Sequence, residues 1–474
     1  MARVIESKKA CAVNPLKMSQ PLGACYAFLG MGGTMPMMHG SQGCTSFGLV
    51  LLVRHFREAI PLQTTAMNEV STILGGMENI EKALLNIKKR ANPALIGIAS
   101  TGLTETKGDD VHGYLKLIFD RHGETLAGTQ VVYVSTPDYV GAFQDGWAKA
   151  VEELVATLAV PARPVPGRVA VLPGCHLTPG DLELLKETIE SFGLTPVMVP
   201  DLSGSMDGHI PEDFTPTTLG GASVDDARAL GSCIATIAVG EQMRAAAEKL
   251  EAKAGVPYRL FDRLTGLAAC DALVAYLSEL SGRPAPARLR RQRGQLVDAM
   301  LDGHFWIGGK KVAIGAEPDL LFALASLVAE MGGTVQAAVT TTHSPILERV
   351  PADEVVIGDL EDLETRAKGA ELLLTHAHGR QASTRLGVPL YRIGLPMFDR
   401  LGAAHHTTIG YRGTRDLIFD LANQFLEHEH AHGPQDWPLP PEARAAATGA
   451  HSSLGCSPNC GSAACATPTP ATPA

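Results

Sequence analysis

Lys311-Val312-Ala313-Ile314-Gly315 is followed by a strongly apolar helical pattern from Leu320 to Met331 and then by Thr334-Val335-Gln336-Ala337-Ala338-Val339. A β-rich run, a helix and a second β-rich run in that order make a strand–helix–strand unit, the building block of parallel-sheet α/β domains. Downstream, Glu354-Val355-Val356-Ile357-Gly358, Glu371-Leu372-Leu373-Leu374-Thr375 and Pro389-Leu390-Tyr391-Arg392-Ile393 continue the strands, and a last helix is expected over about 413–428.

The same pattern recurs upstream. Arg168-Val169-Ala170-Val171-Leu172-Pro173-Gly174 opens a second unit, with a helix around 180–192, strands at Thr195-Pro196-Val197-Met198-Val199 and Ala235-Thr236-Ile237-Ala238-Val239, helices at 223–230 and 240–254, and a helical stretch from about 265 to 301. A first unit holds Ala94-Leu95-Ile96-Gly97-Ile98-Ala99-Ser100 and Val131-Val132-Tyr133-Val134-Ser135, flanked by helical patterns around 70–90, 109–122 and 141–159. Pro161-Ala162-Arg163-Pro164-Val165-Pro166-Gly167 separates the two, because closely spaced prolines continue neither a helix nor a central strand. The expected architecture is α/β: three Rossmann-like parallel-sheet domains at 1–160, 168–302 and 303–436. Residues 437–474, rich in Pro, Ala, Gly, Ser and Thr, read as a disordered tail.

Composition supports a globular chain, with 474 residues, 45% hydrophobic and 19% charged. The net charge of −10 gives no help in holding nucleic acid, and the basic run Arg288-Leu289-Arg290-Arg291-Gln292-Arg293 reads as a solvated helix face. No run reaches about 18 uncharged apolar residues, so no membrane span is expected. No signal peptide is read at the start, and a cytoplasmic location follows as the expectation. There the nine cysteines, at 11, 25, 44, 175, 233, 270, 456, 460 and 465, stay reduced unless they bind metal.

Unusual chemistry is concentrated in the first region. A flexible glycine and methionine segment, Gly30-Met31-Gly32-Gly33-Thr34-Met35-Pro36-Met37-Met38, leads into His39-Gly40-Ser41-Gln42-Gly43-Cys44, and Thr45 to Phe56 then reads as an apolar helix. Cys44 is placed at or just before a helix N-terminus, where unpaired N–H groups favour anionic sulfur. Gly40 and Gly43 let the backbone pass close to something bulky. One thiolate cannot hold an iron–sulfur cluster, which usually takes four ligands, so Cys44 as a ligand requires partners elsewhere or on another chain. Cys175, just past a strand, is the best internal candidate for a second site. Cys25, Cys233 and Cys270 read as packing residues, and Cys11 lies in the N-terminal arm. Glu105, Asp109 and Asp110 read as helix-start or turn residues, and His376, His378, His405 and His406 as loop residues, with His376 placed near a partner or cofactor channel. No phosphate-binding loop is present.

Asn14-Pro15-Leu16, Gln20-Pro21-Leu22-Gly23, Met35-Pro36, His39-Gly40-Ser41-Gln42-Gly43-Cys44 and Arg54-His55-Phe56-Arg57-Glu58 together resemble the nitrogenase component 1 β-subunit family. Within it, the stretch from Gly48 to Met67 is most similar to the β-like subunits of scaffolds for iron–molybdenum cofactor biosynthesis. The resemblance covers roughly residues 11 to 430. In the catalytic members three β-side cysteines help to hold an eight-iron P-cluster. The first matches Ser19 here, the second is Cys44, and the third falls at Gly102, so only Cys44 retains a thiolate.

The resemblance therefore implies Cys44 as the one β-side ligand of a [4Fe–4S] cluster shared with a NifE-like α subunit in an α2β2 heterotetramer. It also implies an iron–molybdenum cofactor precursor held by the complex, delivered by a NifB-type donor. Molybdenum and homocitrate would be inserted with the help of the nitrogenase iron protein before transfer to apo-nitrogenase. The chain itself would be a scaffold with no independent active site. Rival readings are the catalytic β-subunit, a subunit of a light-independent (proto)chlorophyllide reductase, and a metal-free structural subunit. Loose metal binding by His428, His430, His432, Cys456, Cys460 and Cys465 is a lesser alternative reading of the tail.

Overall fold

The computed structural model describes residues 1–208 and 213–431. Met1–Leu426 form one compact unit, and of the second, Glu427–Ala474, the described residues belong to the helix Gly410–Ala431. The expected tail, with His432 and Cys456, Cys460 and Cys465, lies outside the described residues. Among those described, no helix is long and apolar enough to cross a membrane.

Among the described residues, fourteen strands build three sheets, parallel throughout. The chain opens with β1 (Arg3–Glu6), then β2 (Thr34–His39), β3 (Gln63–Thr64), β4 (Leu95–Ser100) and β5 (Gln130–Val134). The middle of the chain gives β6 (Arg168–Leu172), β7 (Thr195–Met198), β8 (Ala235–Val239) and β9 (Tyr258–Phe261). The last group is β10 (Lys311–Gly315), β11 (Thr334–Thr340), β12 (Glu354–Ile357), β13 (Leu372–Thr375) and β14 (Leu390–Arg392). The orders are β3-β2-β4-β5, β7-β6-β8-β9 and β1-β12-β11-β10-β13-β14. Strand order reverses between β2 and β4, between β6 and β8, and between β10 and β13. Each reversal leaves a crevice beyond the strand carboxyl ends, where α/β sheets collect their ligand-binding groups.

Helices of the first region are α1 (Gln20–Leu29), α2 (Gln42–Phe56), α3 (Glu69–Leu74), α4 (Met77–Ala91), α5 (Gly102–Lys107), α6 (Val111–Leu126) and α7 (Phe143–Leu158). Every residue of α1 is buried. It crosses α7 at backbone distance, because a Cβ on Gly23 would meet the Phe143 carbonyl and one on Gly146 the Gln20 carbonyl. Around this crossing Tyr26 packs on Phe56, Phe143 and Trp147, with ring centroids 5.7, 5.4 and 5.1 Å away. The Trp147 indole N–H donates to the Pro173 carbonyl (2.9 Å), tying the first region to the loop after β6.

Three expectations are corrected. The methionine segment is not flexible, since Thr34–His39 form a fully buried strand in which Pro36 faces Gly97 of β4. The helical stretch after 265 is two helices, Leu267–Ser281 and Ala287–Ile307, interrupted where Pro284 and Pro286 bar continuation. The N-terminal arm, grouped by its position with the first region, adds β1 to the edge of the third sheet by pairing with β12. The basic run lies on the helix Ala287–Ile307, where Arg293 pairs with Asp271 (2.9 Å) and Arg288 with Glu187 (3.3 Å), in keeping with a solvated face.

Candidate functional site

His39 ends β2, and the chain turns through Gly40 and Ser41 into α2, so that Cys44 is in the first turn of the helix. The turn is held tightly. The Gly40 N–H donates to Thr65 Oγ1 (3.0 Å), and the His39 carbonyl accepts from Thr101 Oγ1 (2.9 Å) and Thr104 Oγ1 (3.2 Å). Beneath it His39 Nδ1 lies 3.0 Å from Thr65 Oγ1, and His39 Nε2 lies 3.4 Å from Asp109 Oδ2. Burial holds the His39 imidazole below its usual pKa, against the opposing pull of Asp109.

Ser41, at the N-cap of α2, makes no side-chain capping bond, and its Oγ stands 3.5 Å from Cys44 Sγ. Cys44 is exposed and borders an open cavity of ≈ 330 Å³. The cavity brings together Ser19 at the N-cap of α1, Cys44 and Phe47 of α2, Thr101 at the N-cap of α5, Asp138 after β5, and His376 and His378 after β13. Ser19, Cys44 and the Gly102 turn, distant in sequence, are thus neighbours at the first sheet's reversal. Ser19 offers a hydroxyl and Gly102 no side chain. The space beside Gly102 is taken by the Asp138 carboxylate, which stands where a Cβ at 102 would lie.

His376 is a strut for this site. Its Nδ1 accepts from the His378 N–H (3.3 Å), which leaves Nε2 to donate to the Leu16 carbonyl (3.3 Å), just before Ser19. Burial pushes its pKa down to about 4, so the ring is neutral. On α2, directly after Val53, the Arg54 guanidinium lies 4.2 Å from the centre of the Phe398 ring and His55 Nδ1 accepts from the Met397 N–H (2.9 Å). The helix carrying Cys44 is thereby docked on the loop after β14.

A second cavity of ≈ 70 Å³ lies among the strand ends of the second and third sheets, lined by Tyr26, Cys175, His176, Glu317, His376 and Arg392 among others. Burial pushes the Cys175 thiol well above its ordinary pKa, which disfavours the thiolate a metal needs. Its N–H donates to Gln242 Oε1 (3.2 Å), and Gln242 Nε2 donates to Asp319 Oδ2 (2.8 Å). Glu317 accepts from Thr341 Oγ1 (2.8 Å) and the Gln144 N–H (3.3 Å), and burial pushes its carboxyl up to about 8.

Because the folded pKa of Glu317 is raised, its contribution to stability is complete below the unfolded value near 4.3 and is lost as pH rises through about 8. The melting temperature is therefore expected to fall over that window, and Glu317→Gln, which stays neutral, to show a flatter profile. Equal slopes for the two proteins would rule out Glu317 as the source.

The remaining candidates take structural places. Cys25, Cys233 and Cys270 are buried, and Cys11 is exposed. Asp110 caps α6 through the Gly113 N–H (3.0 Å), Asp109 holds the Gly76 N–H (3.2 Å), and Glu105 accepts from Ser135 Oγ (2.7 Å). His406 Nε2 stands 3.1 Å from Asp420, which holds its pKa up. Among the described residues no group of three or more His, Cys, Asp or Glu side chains is placed to hold a metal ion. Among the described residues, no other cysteine lines the cavity that Cys44 borders. Asp138, Lys17 and His378 were not assigned to the site from sequence; they come from other segments and carry no local motif.

A family model described as nitrogenase component 1 type oxidoreductase matches residues 19–426. The chain belongs to this family. Among its nitrogenase component 1 relatives is a Bradyrhizobium diazoefficiens protein named nitrogenase iron-molybdenum cofactor biosynthesis protein NifN. The two are 58% identical over 452 residues, which span 93% of this chain and 96% of the relative. A Rhodobacter capsulatus protein of the same name is 51% identical over 453 residues, 93% of this chain and 98% of the relative. A solved structure titled "Nitrogenase Cp1 at pH 6.5" superposes with a TM-score of 0.86 at 31% identity, covering 92% of this chain and 98% of the other. The nitrogenase component 1 fold thus accounts for the three-sheet architecture.

Proposed function

We propose that this chain is the β-like subunit of a cytoplasmic scaffold on which the nitrogenase iron–molybdenum cofactor precursor is matured, by insertion of molybdenum and homocitrate, before transfer to apo-nitrogenase. The carrying observation is a solitary thiol. Cys44 and Ser19 border one cavity, where Ser19 offers only a hydroxyl, and the third family position, Gly102 next to the lining residue Thr101, has no side chain. The relatives named for cofactor biosynthesis support the same reading. In it, Cys44 supplies one ligand and a NifE-like α subunit the other three of a [4Fe–4S] cluster in an α2β2 assembly. When bound, that cluster takes up and passes on single electrons.

The chain's own part is to present the Cys44 sulfur at a rigid helix start, to anchor that helix through Arg54 and His55, and to offer a surface for the partner. Phe47, Val50 and Val53 of α2 and Val70, Ile73 and Leu74 of α3 are exposed apolar side chains, a pattern that fits burial against another subunit. The iron protein, the NifB-type donor and apo-nitrogenase are transient partners in this reading.

Iron analysis and electron paramagnetic resonance of the complex purified with its α-like partner test the proposal. The expected result is about four irons per αβ pair with the signal of a [4Fe–4S] cluster. Roughly eight irons with a P-cluster spectrum would favour the catalytic β-subunit instead, and an iron-free complex a purely structural subunit.

A further inference from the structure

We infer that Asp138 sets the reduction potential of the cluster held at Cys44, keeping it low; this rests on the cluster reading proposed above. The cavity beside Cys44 contains two charged side chains among its lining residues, Lys17 and Asp138. The histidines that share it are held neutral: burial lowers the pKa of both His376 and His378, and Arg54 lowers that of His378 further.

Asp138 lies in the exposed turn after β5, and its carboxylate fills the space beside Gly102 that any larger residue there would claim. No hydrogen bond or ion pair joins it to another described residue. An acid at a helix start is ordinarily accounted for by capping. Here Thr101 and Thr104 form the capping box of α5, and the Asp138 carboxylate takes no N–H of that helix. The group is therefore a carboxylate without an ion-pair partner on the wall that also carries the cluster ligand, with the oppositely charged Lys17 elsewhere on that wall.

Reduction adds one electron, and so one negative charge, to a cluster whose potential depends on nearby charge and solvent exposure. A carboxylate on the cavity wall opposes that addition by Coulomb repulsion, more strongly once a partner subunit excludes water from the cavity. Lys17, on the same wall, acts with the opposite sign.

The test is a dithionite potentiometric titration of the purified αβ complex, read by electron paramagnetic resonance, for the wild type, Asp138→Asn and Lys17→Gln. With iron content and line shape unchanged, Asp138→Asn is expected to favour the reduced form about tenfold at a fixed potential, a positive shift of about 59 mV for one electron. Lys17→Gln is expected to shift the potential the other way. Opposite signs would not arise from general loosening of the site. An unmoved potential in Asp138→Asn, with the cluster intact, overturns the inference while leaving the cluster reading standing. Loss of iron or a new line shape in that variant would make Asp138 a direct ligand and also overturns it. A wild-type complex without any cluster signal removes the underlying reading, and this inference with it.

Discussion

Cys44→Ala is expected to abolish the interfacial cluster signal and most of the bound iron in the αβ complex while leaving the chain folded. Cys44 is exposed in the first turn of α2, so the substitution removes no core packing, and alanine is the strongest helix former. The stability change should stay within about 0.5 kcal/mol, as for surface substitutions generally. Loss of one of four thiolates leaves an iron without its protein ligand, and among the described residues no second cysteine lines the cavity. Cys25 lies in the core of α1, and Cys175 is a raised-pKa thiol in the other cavity. Iron analysis and electron paramagnetic resonance of the variant complex, beside a denaturation curve, check both halves. An unchanged cluster signal in Cys44→Ala would eliminate the ligand assignment.

Gly146→Ala is expected to be the most damaging single-methyl change in the first region. The added Cβ falls on the Gln20 carbonyl, and the opposing Gly23 sits equally close to the Phe143 carbonyl. Neither obstacle is the end of a flexible side chain; both are backbone atoms of packed helices, and α1 is buried along its whole length. Helices α1 and α7 must move apart, which breaks the Tyr26, Phe143 and Trp147 packing and should cost about 3 kcal/mol or more. Because Ser19 at the N-cap of α1 and Pro21 in its first turn line the Cys44 cavity, the same movement should lower cluster occupancy. Urea denaturation of the variant complex measures the first effect and iron content the second. A midpoint equal to wild type would mean that the two helices can separate freely.

Much of the fold is legible in the sequence, and its two most buried exceptions share a cause. Apart from the four-residue β9, which is not read, the strand–helix–strand units from β4 onward carry short β-rich runs with helical patterns between them, so their type is recoverable. Helix α1 was not, because burial on all faces erases the amphipathic period that marks a helix in sequence. Strand β2 was hidden similarly: a run of methionines between glycines resembles a loose segment, although Met35, Met37 and Met38 are core residues. At the site, Cys44 was legible through its neighbours, and its place in the first turn of α2 agrees with the reading. Asp138, Lys17 and His378 were not, since the wall they share is made only by folding segments from the two ends of the chain together.

That joining of chain ends has a consequence for synthesis. The arm that runs into Ser19 is fixed by β1 against β12, at Arg3 to Glu354 through Glu6 to Ile357, and by His376 against Leu16. A nascent chain exposes the arm and Cys44 early, yet their binding surfaces leave the ribosome only after residue 376. Until then the thiol is displayed on an unfinished wall, so under the proposed cluster reading metal loading should wait for a nearly complete polypeptide.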